Sequence, residues 1–136
     1  MVEIHAVYEG NLRCHIRHGP SGQEISTDAP TDNYGRGEAF SPTDLVGAAL
    51  GSCLLTVMGI VARRHQIDLT GASVVVRKEM VDRPMRRIAA LTAVVTFPRA
   101  YSDTQRALLE GAAKGCPVHR SLHQEVEAPI EFRYPS

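Results

Sequence analysis

Between residues 45 and 62 the chain carries no charge. Ser41, Pro42 and Asp44 just before this run supply the start of a helix, and Arg63, Arg64 and His65 place cations near its end. The stretch therefore reads as one long helix, apolar nearly all round. Its length lies at the lower edge of the roughly 18–20 residues that cross a bilayer. Gly47, Gly51, Gly59, Ser52, Thr56 and several alanines temper its apolarity, however, and the polar, turn-rich residues 1–40 before it resemble no signal peptide. The expectation is a core helix wrapped by other elements on every side. Gly47 and Gly51 share one face and should admit a second backbone, from within the protein or across a dimer. Cys53 sits mid-helix, where packing is the ordinary use of a thiol.

Around this helix the rest of the chain divides by periodicity. Residues 3–17 read as a strand whose later part alternates, with Leu12, Cys14 and Ile16 on one side and Arg13, His15 and Arg17 on the other. Cys14 is thus expected to point inward. The turn Gly19-Pro20-Ser21-Gly22 returns residues 23–27 as a second strand, and residues 28–37 form a loop. Beyond the helix and Gly71, residues 73–80 and 88–97 make an antiparallel pair turned by Asp82-Arg83-Pro84. Ser102 and Gln105 form a capping box for a helix running to Lys114 and stopped by Gly115. A short helix over 118–126 and a last strand over 129–134 follow. Because strands and helices are segregated rather than alternating, the fold class is α+β, with antiparallel sheets packed around the long helix.

One domain spanning residues 1–136 is expected at this length. Fifteen basic and fifteen acidic residues cancel, and no lysine or arginine block is present, so neither nucleic acid nor a membrane is indicated as a partner. Cys14, Cys53 and Cys116 are odd in number and widely spaced without a secretory leader, which points to a reducing, cytoplasmic location.

Three arrangements could carry chemistry. Pro117 suits the first position of a helix, which leaves Cys116 at the cap, where free amides and the helix dipole favour a thiolate; His119 and Arg120 could add positive charge. Cys53 gains nothing from a dipole in mid-helix and would need a cation from another element, for which Arg13, Arg17 and Arg36 are candidates. Cys116, His119 and His123 have the spacing C-x2-H-x3-H, so a zinc with an open position is a further reading, set against two solvated histidines on a polar helix face.

The stretches Ser41-Pro42-Thr43-Asp44-Leu45, Ala48-Ala49-Leu50-Gly51-Ser52-Cys53 and Gly115-Cys116-Pro117-Val118-His119-Arg120 resemble the OsmC (osmotically inducible protein C) and organic hydroperoxide resistance family, nearest its OsmC-like branch. The resemblance implies an OsmC-like fold in an intertwined homodimer. It also implies a thiol-dependent peroxidase for organic hydroperoxides or hydrogen peroxide, serving oxidative stress defence. In that scheme Cys53 becomes a sulfenic acid, Cys116 resolves it to a disulfide, and a dithiol such as a lipoyl group reduces the pair, without cofactor or metal. Arg13 is the first candidate for the activating cation and Arg36 the second. Where the peroxidases carry a glutamate after the helix-opening proline, this chain has Thr43, followed by Asp44. A competing reading keeps the fold but uses an apolar cleft to bind a small hydrophobic ligand without turnover.

Overall fold

The computed structural model describes Met1–Ser136, as two compact units, residues 1–46 and 47–136. The first unit is a three-stranded antiparallel sheet of β1 (Ile4–Gly10), β2 (Arg13–His18) and β3 (Glu24–Asp28). Residues 3–17 are therefore two strands, not one. Gly10, Asn11 and Leu12 all have positive φ, at 89°, 55° and 63°, the left-handed backbone that reverses a hairpin tightly. Register pairs Ala6 with Ile16, Tyr8 with Cys14, and Ile16 with Ile25. Paired residues share a face, so Ile4, Ala6, Tyr8, Cys14, Ile16 and Ile25 make one side of the sheet apolar. Cys14 does lie on that side. Yet the side stays open: Ile4 is 68 %, Tyr8 64 % and Ile25 46 % exposed.

Residues 29–41 close back on this sheet through a short 3-10 turn, Thr31–Asn33. Asp28 N–H donates to the Phe40 carbonyl and Ala29 N–H to that of Leu12. Gly35 N–H donates to the Pro30 carbonyl, and a Cβ at Gly35 would collide with the backbone of Ala29. Only glycine fits where two backbones run this close.

Helix α1 spans Pro42–Arg64, as the uncharged run required. Ser41 Oγ accepts from Asp44 N–H at 3.1 Å and Asp44 Oδ2 accepts from Ser41 N–H at 2.9 Å. This is a capping box with aspartate in the usual glutamate place, and it anchors the helix start in a serine that is itself buried.

In the second unit, β4 (Ser73–Val81) and β5 (Arg87–Thr96) pair antiparallel, and β6 (Ile130–Arg133) adds to β5 in parallel. The parallel pairing departs from a wholly antiparallel set. It is possible because two helices, α2 (Asp103–Lys114) and α3 (Pro117–Ser121), provide the long crossover that a parallel neighbour needs. Central β5 buries Ala90, Leu91, Ala93, Val94 and Val95. The architecture is mixed α+β with two sheets and a long helix, as expected.

Only one stripe of α1 is covered: Gly47, Leu50, Gly51, Leu54, Met58 and Ala62 are buried, while Ala48, Ala49, Ser52, Thr56 and Ile60 are exposed. The glycine face meets a sheet rather than another helix. A Cβ at Gly51 would stand 3.1 Å from Val74 and 3.2 Å from Val76, whereas at Gly47 the nearest atoms lie at an ordinary 3.6 Å. The far end of this unit is held by aromatic packing. Tyr134 stacks on Phe97 with ring centroids 4.4 Å apart, lies beneath Arg106, and donates its hydroxyl to Glu110 at 2.7 Å.

The two glycines should respond differently to substitution. Gly47→Ala should stabilise by about 0.5–1 kcal/mol, the helix-interior cost of glycine. Gly51→Val should destabilise by about 1–3 kcal/mol through overpacking. Urea denaturation of the two variants checks both signs.

Candidate functional site

The second unit brings Cys53 and Cys116 together. Cys53 lies on α1, half-buried on the flank of the packed stripe; Cys116 caps α3 and is completely buried. Cys116 reaches its place because α2 ends at Gly115, whose N–H donates to the carbonyls of Ala112 and Ala113, and Pro117 then opens α3 at once. Cys116 Sγ accepts from His119 N–H at 3.5 Å. Both thiols are free.

The expectation that the cap makes Cys116 a thiolate does not hold. Burial pushes its pKa above the ordinary thiol value, and an interaction with the Cys53 side chain pushes it the same way. The His119 and Val118 amides pull it down but do not win. The helix behind them is only five residues long, too short for a substantial dipole. Cys116 therefore keeps its proton in neutral solution, and a protonated thiol beside Cys53 is a donor toward whatever negative charge that sulfur carries.

His119 is fixed by a second bond. Its Nε2 lies 2.8 Å from the Ala128 carbonyl. Since a carbonyl only accepts, Nε2 carries the hydrogen. His123 falls beyond the helix, which ends at Ser121 rather than extending to 126, and its Nδ1 accepts from Glu125 N–H at 3.1 Å. With Leu122 already extended, the i, i+4 helical spacing that would have aligned the two histidines is lost. No three His, Cys, Asp or Glu side chains gather as a metal would require, so the zinc reading of Cys116, His119 and His123 is corrected.

The cation candidates belong to the first unit. Arg13 and Arg36 converge there on Glu38, at 3.5 and 4.0 Å. Arg17 is exposed at the end of β2. Asp28, opposite Arg13 in the ladder and 1 % exposed, accepts from Glu38 N–H at Oδ2, while its Oδ1 has no hydrogen-bond partner. Sequence reasoning passed over both acids. Asp28 falls within the loop expected over 28–37, whereas it is the last residue of β3 and pairs with Arg13. Thr43 Oγ1 lies 3.2 Å from Ser41 Oγ at the helix start. The first unit also holds a groove of about 340 Å³ lined by Ile4, Ile16, His18, Gln23 and Ile25.

Residues 35–131 match the OsmC-like protein family, a span that takes in the glycine turn, α1 with Cys53, and α3 with Cys116. The chain belongs to the OsmC-like protein family. A crystal structure from Psychrobacter arcticus, of a protein named for osmotic stress induction and a detoxification response, is 39 % identical. It superposes with a TM-score of 0.91 over 98 % of this chain and 96 % of that one. Two more distant structures share the fold. An organic hydroperoxide resistance protein OsmC from Legionella pneumophila has 17 % identity and a TM-score of 0.78, covering 98 % of this chain and 96 % of that one. The organic hydroperoxide resistance protein OhrB of Bacillus subtilis has 17 % identity and a TM-score of 0.73, covering 98 % of each chain. No curated protein matches.

The raised pKa of Cys116 fixes a sign for stability against pH. The folded state holds this proton to higher pH than the unfolded chain does. Its contribution is therefore fully present below the ordinary thiol value and is lost as pH rises through it toward the folded value. Reduced protein should lose urea resistance as pH rises above the ordinary thiol value of about 8.5, and Cys116→Ser should flatten that loss. Equal slopes for the two proteins would contradict the assignment.

Proposed function

We propose that this OsmC-like protein is a thiol-dependent peroxidase that reduces organic hydroperoxides or hydrogen peroxide, with Cys53 as the attacking thiol and Cys116 as the resolving thiol. The observation that carries the reading is the interaction of a half-buried Cys53 with a fully buried, proton-holding Cys116 in one unit. The names of two structural relatives, both organic hydroperoxide resistance proteins, support it.

The chemistry balances in three steps. The Cys53 thiolate attacks the terminal oxygen of ROOH; the O–O bond breaks, ROH leaves after taking a proton, and Cys53 becomes a sulfenic acid. The Cys116 sulfur then attacks the Cys53 sulfur, water leaves, and a disulfide forms, which protects Cys53 from further oxidation. A dithiol finally reduces the disulfide and is itself oxidised to a cyclic disulfide. Only the thiolate is nucleophilic. A Cys116 that is fully buried and holds its proton is a poor first attacker, which leaves the half-buried Cys53 for the peroxide step. Arg13 is proposed as the activating cation and Arg36 as its alternate.

We also propose that the protein works in the cytoplasm as a homodimer, apart from nucleic acid and membranes. The apolar side of β1, β2 and β3 leaves Ile4, Tyr8 and Ile25 open to water, and a three-stranded sheet is more stable with such a side covered. The exposed small-residue face of α1 offers a second area for a twin chain. The groove on the first sheet favours the alternative of a small hydrophobic ligand, a reading in which no peroxide would be turned over.

One equivalent of cumene hydroperoxide should remove two hydrogens from the intact mass, with peptide mapping joining Cys53 to Cys116, and a dithiol should restore turnover. Cys53→Ser should abolish the reaction, and Cys116→Ser should leave a sulfenic acid that dimedone traps. Oxidation scattered over Cys14 and the methionines, or a protein that reacts once and cannot be recycled, would turn attention to ligand binding. Light scattering should give about twice the 14.8 kDa chain mass, and Ile25→Lys should lower it toward one chain.

A further inference from the structure

Helix α3 is five residues long, far below the length at which a helix holds itself together. Something outside it must set where Cys116 points. Within the turn, Ser121 Oγ donates to the Pro117 carbonyl at 2.7 Å and Cys116 N–H donates to Ala113. Neither bond ties the helix to the sheet. The His119 ring does.

The chain after α3 runs beside β5 before β6 formally begins. Glu127 N–H donates to the Ala89 carbonyl, Leu91 N–H donates to that of Glu127, and Ala93 N–H donates to that of Pro129. Residues 127 and 129 thus turn their backbone groups toward β5. By the alternation of a strand, Ala128 turns its own away, toward the open edge of the sheet. Its carbonyl would have no protein donor there, and His119 Nε2 supplies one at 2.8 Å. The same residue's backbone N–H lies on Cys116 Sγ. One residue therefore grips the buried sulfur with its main chain and the sheet edge with its side chain.

We propose that His119 is the positioning residue for the resolving thiol: its Nε2–H bond to the Ala128 carbonyl anchors α3 to the segment that leads into β6 and holds Cys116 where it can close on Cys53. The inference rests on the proposed thiol pair, but the anchoring itself needs no peroxide. Loss of the bond frees a short helix to swing, and disulfide closure is sensitive to displacements of about 1 Å. Glutamine at the same position carries an amide donor at similar reach, whereas alanine carries none.

Two measurements on full-length protein test this. The first follows dimedone-trappable Cys53 and disulfide separately after one equivalent of cumene hydroperoxide. In His119→Ala the ratio of the disulfide-closing rate to the Cys53 oxidation rate should fall on the order of tenfold, and His119→Gln should recover most of it. The second equilibrates each protein with glutathione redox buffers and reads the effective concentration of Cys116 toward Cys53; the same tenfold fall and the same recovery are expected. If closure and oxidation slow equally, or glutamine behaves like alanine in both measurements, the proposal is overturned. Should peroxide leave Cys53 untouched in every variant while the glutathione titration still separates alanine from glutamine, the peroxidase reading fails and the anchoring stands.

Discussion

Helix α1 lies against the valines of β4 with no room to spare at Gly51. That contact determines much of the second unit, because a helix pressed this closely onto a sheet cannot rotate or slide without driving a valine into its backbone. The rotation of the helix in turn decides what Cys53 sees. Leu50, Leu54 and Met58 face the sheet, and Cys53 falls on the flank between that stripe and the exposed side. A thiol at Leu54 would be sealed from any substrate; one at Ser52 would stand in open water. On the flank, Cys53 has a buried partner on one side and access on the other. Pressing the helix onto the sheet and making a usable thiol are thus one geometric fact.

The site combines two kinds of support that differ in strength. Cys53 is carried by the middle of a long helix, whose neighbours on both sides hold it in place. Cys116 is carried by a single turn between a helix end and a sheet edge, so its position depends on individual hydrogen bonds. In the proposed reaction, rigid support suits the sulfur that meets the peroxide in a fixed orientation. The lighter support suits the sulfur that has to shorten its distance to a neighbour, since forming a covalent bond pulls two atoms well inside their contact distance.

Much of this was legible in the residues. The uncharged run gave α1, the Ser102 and Gln105 box gave α2 with its true start, and alternation gave β4 and β5, because each of these rests on local chemistry repeated over many residues. The first hairpin was missed because Leu12 continues the alternation of Cys14 and Ile16 while its φ of 63° places it in the turn; periodicity overrode the Gly10-Asn11 signal. The parallel entry of β6 depends on residues far apart in sequence, and so does the approach of Cys116 to Cys53. The acidity of Cys116 was read from its local cap, when burial, which no short motif reveals, sets its direction. His119 was noted for its charge and its spacing to His123, and its real partner, a backbone carbonyl, has no sequence signature at all.

The late arrival of β6 has a consequence during synthesis. The second unit is complete only when residues 127–134 are in place beside β5 and Tyr134 has stacked on Phe97. Cys53 is made well before them, and at about 5–20 residues per second it waits on the order of ten seconds for the strand that supports its partner. For that interval the nascent chain carries a thiol with nothing beside it to intercept a sulfenic acid. On the proposed peroxidase reading, newly made protein is then open to the irreversible oxidation that a resolving Cys116 would stop, and a cell under peroxide stress would lose part of each new batch before it could serve.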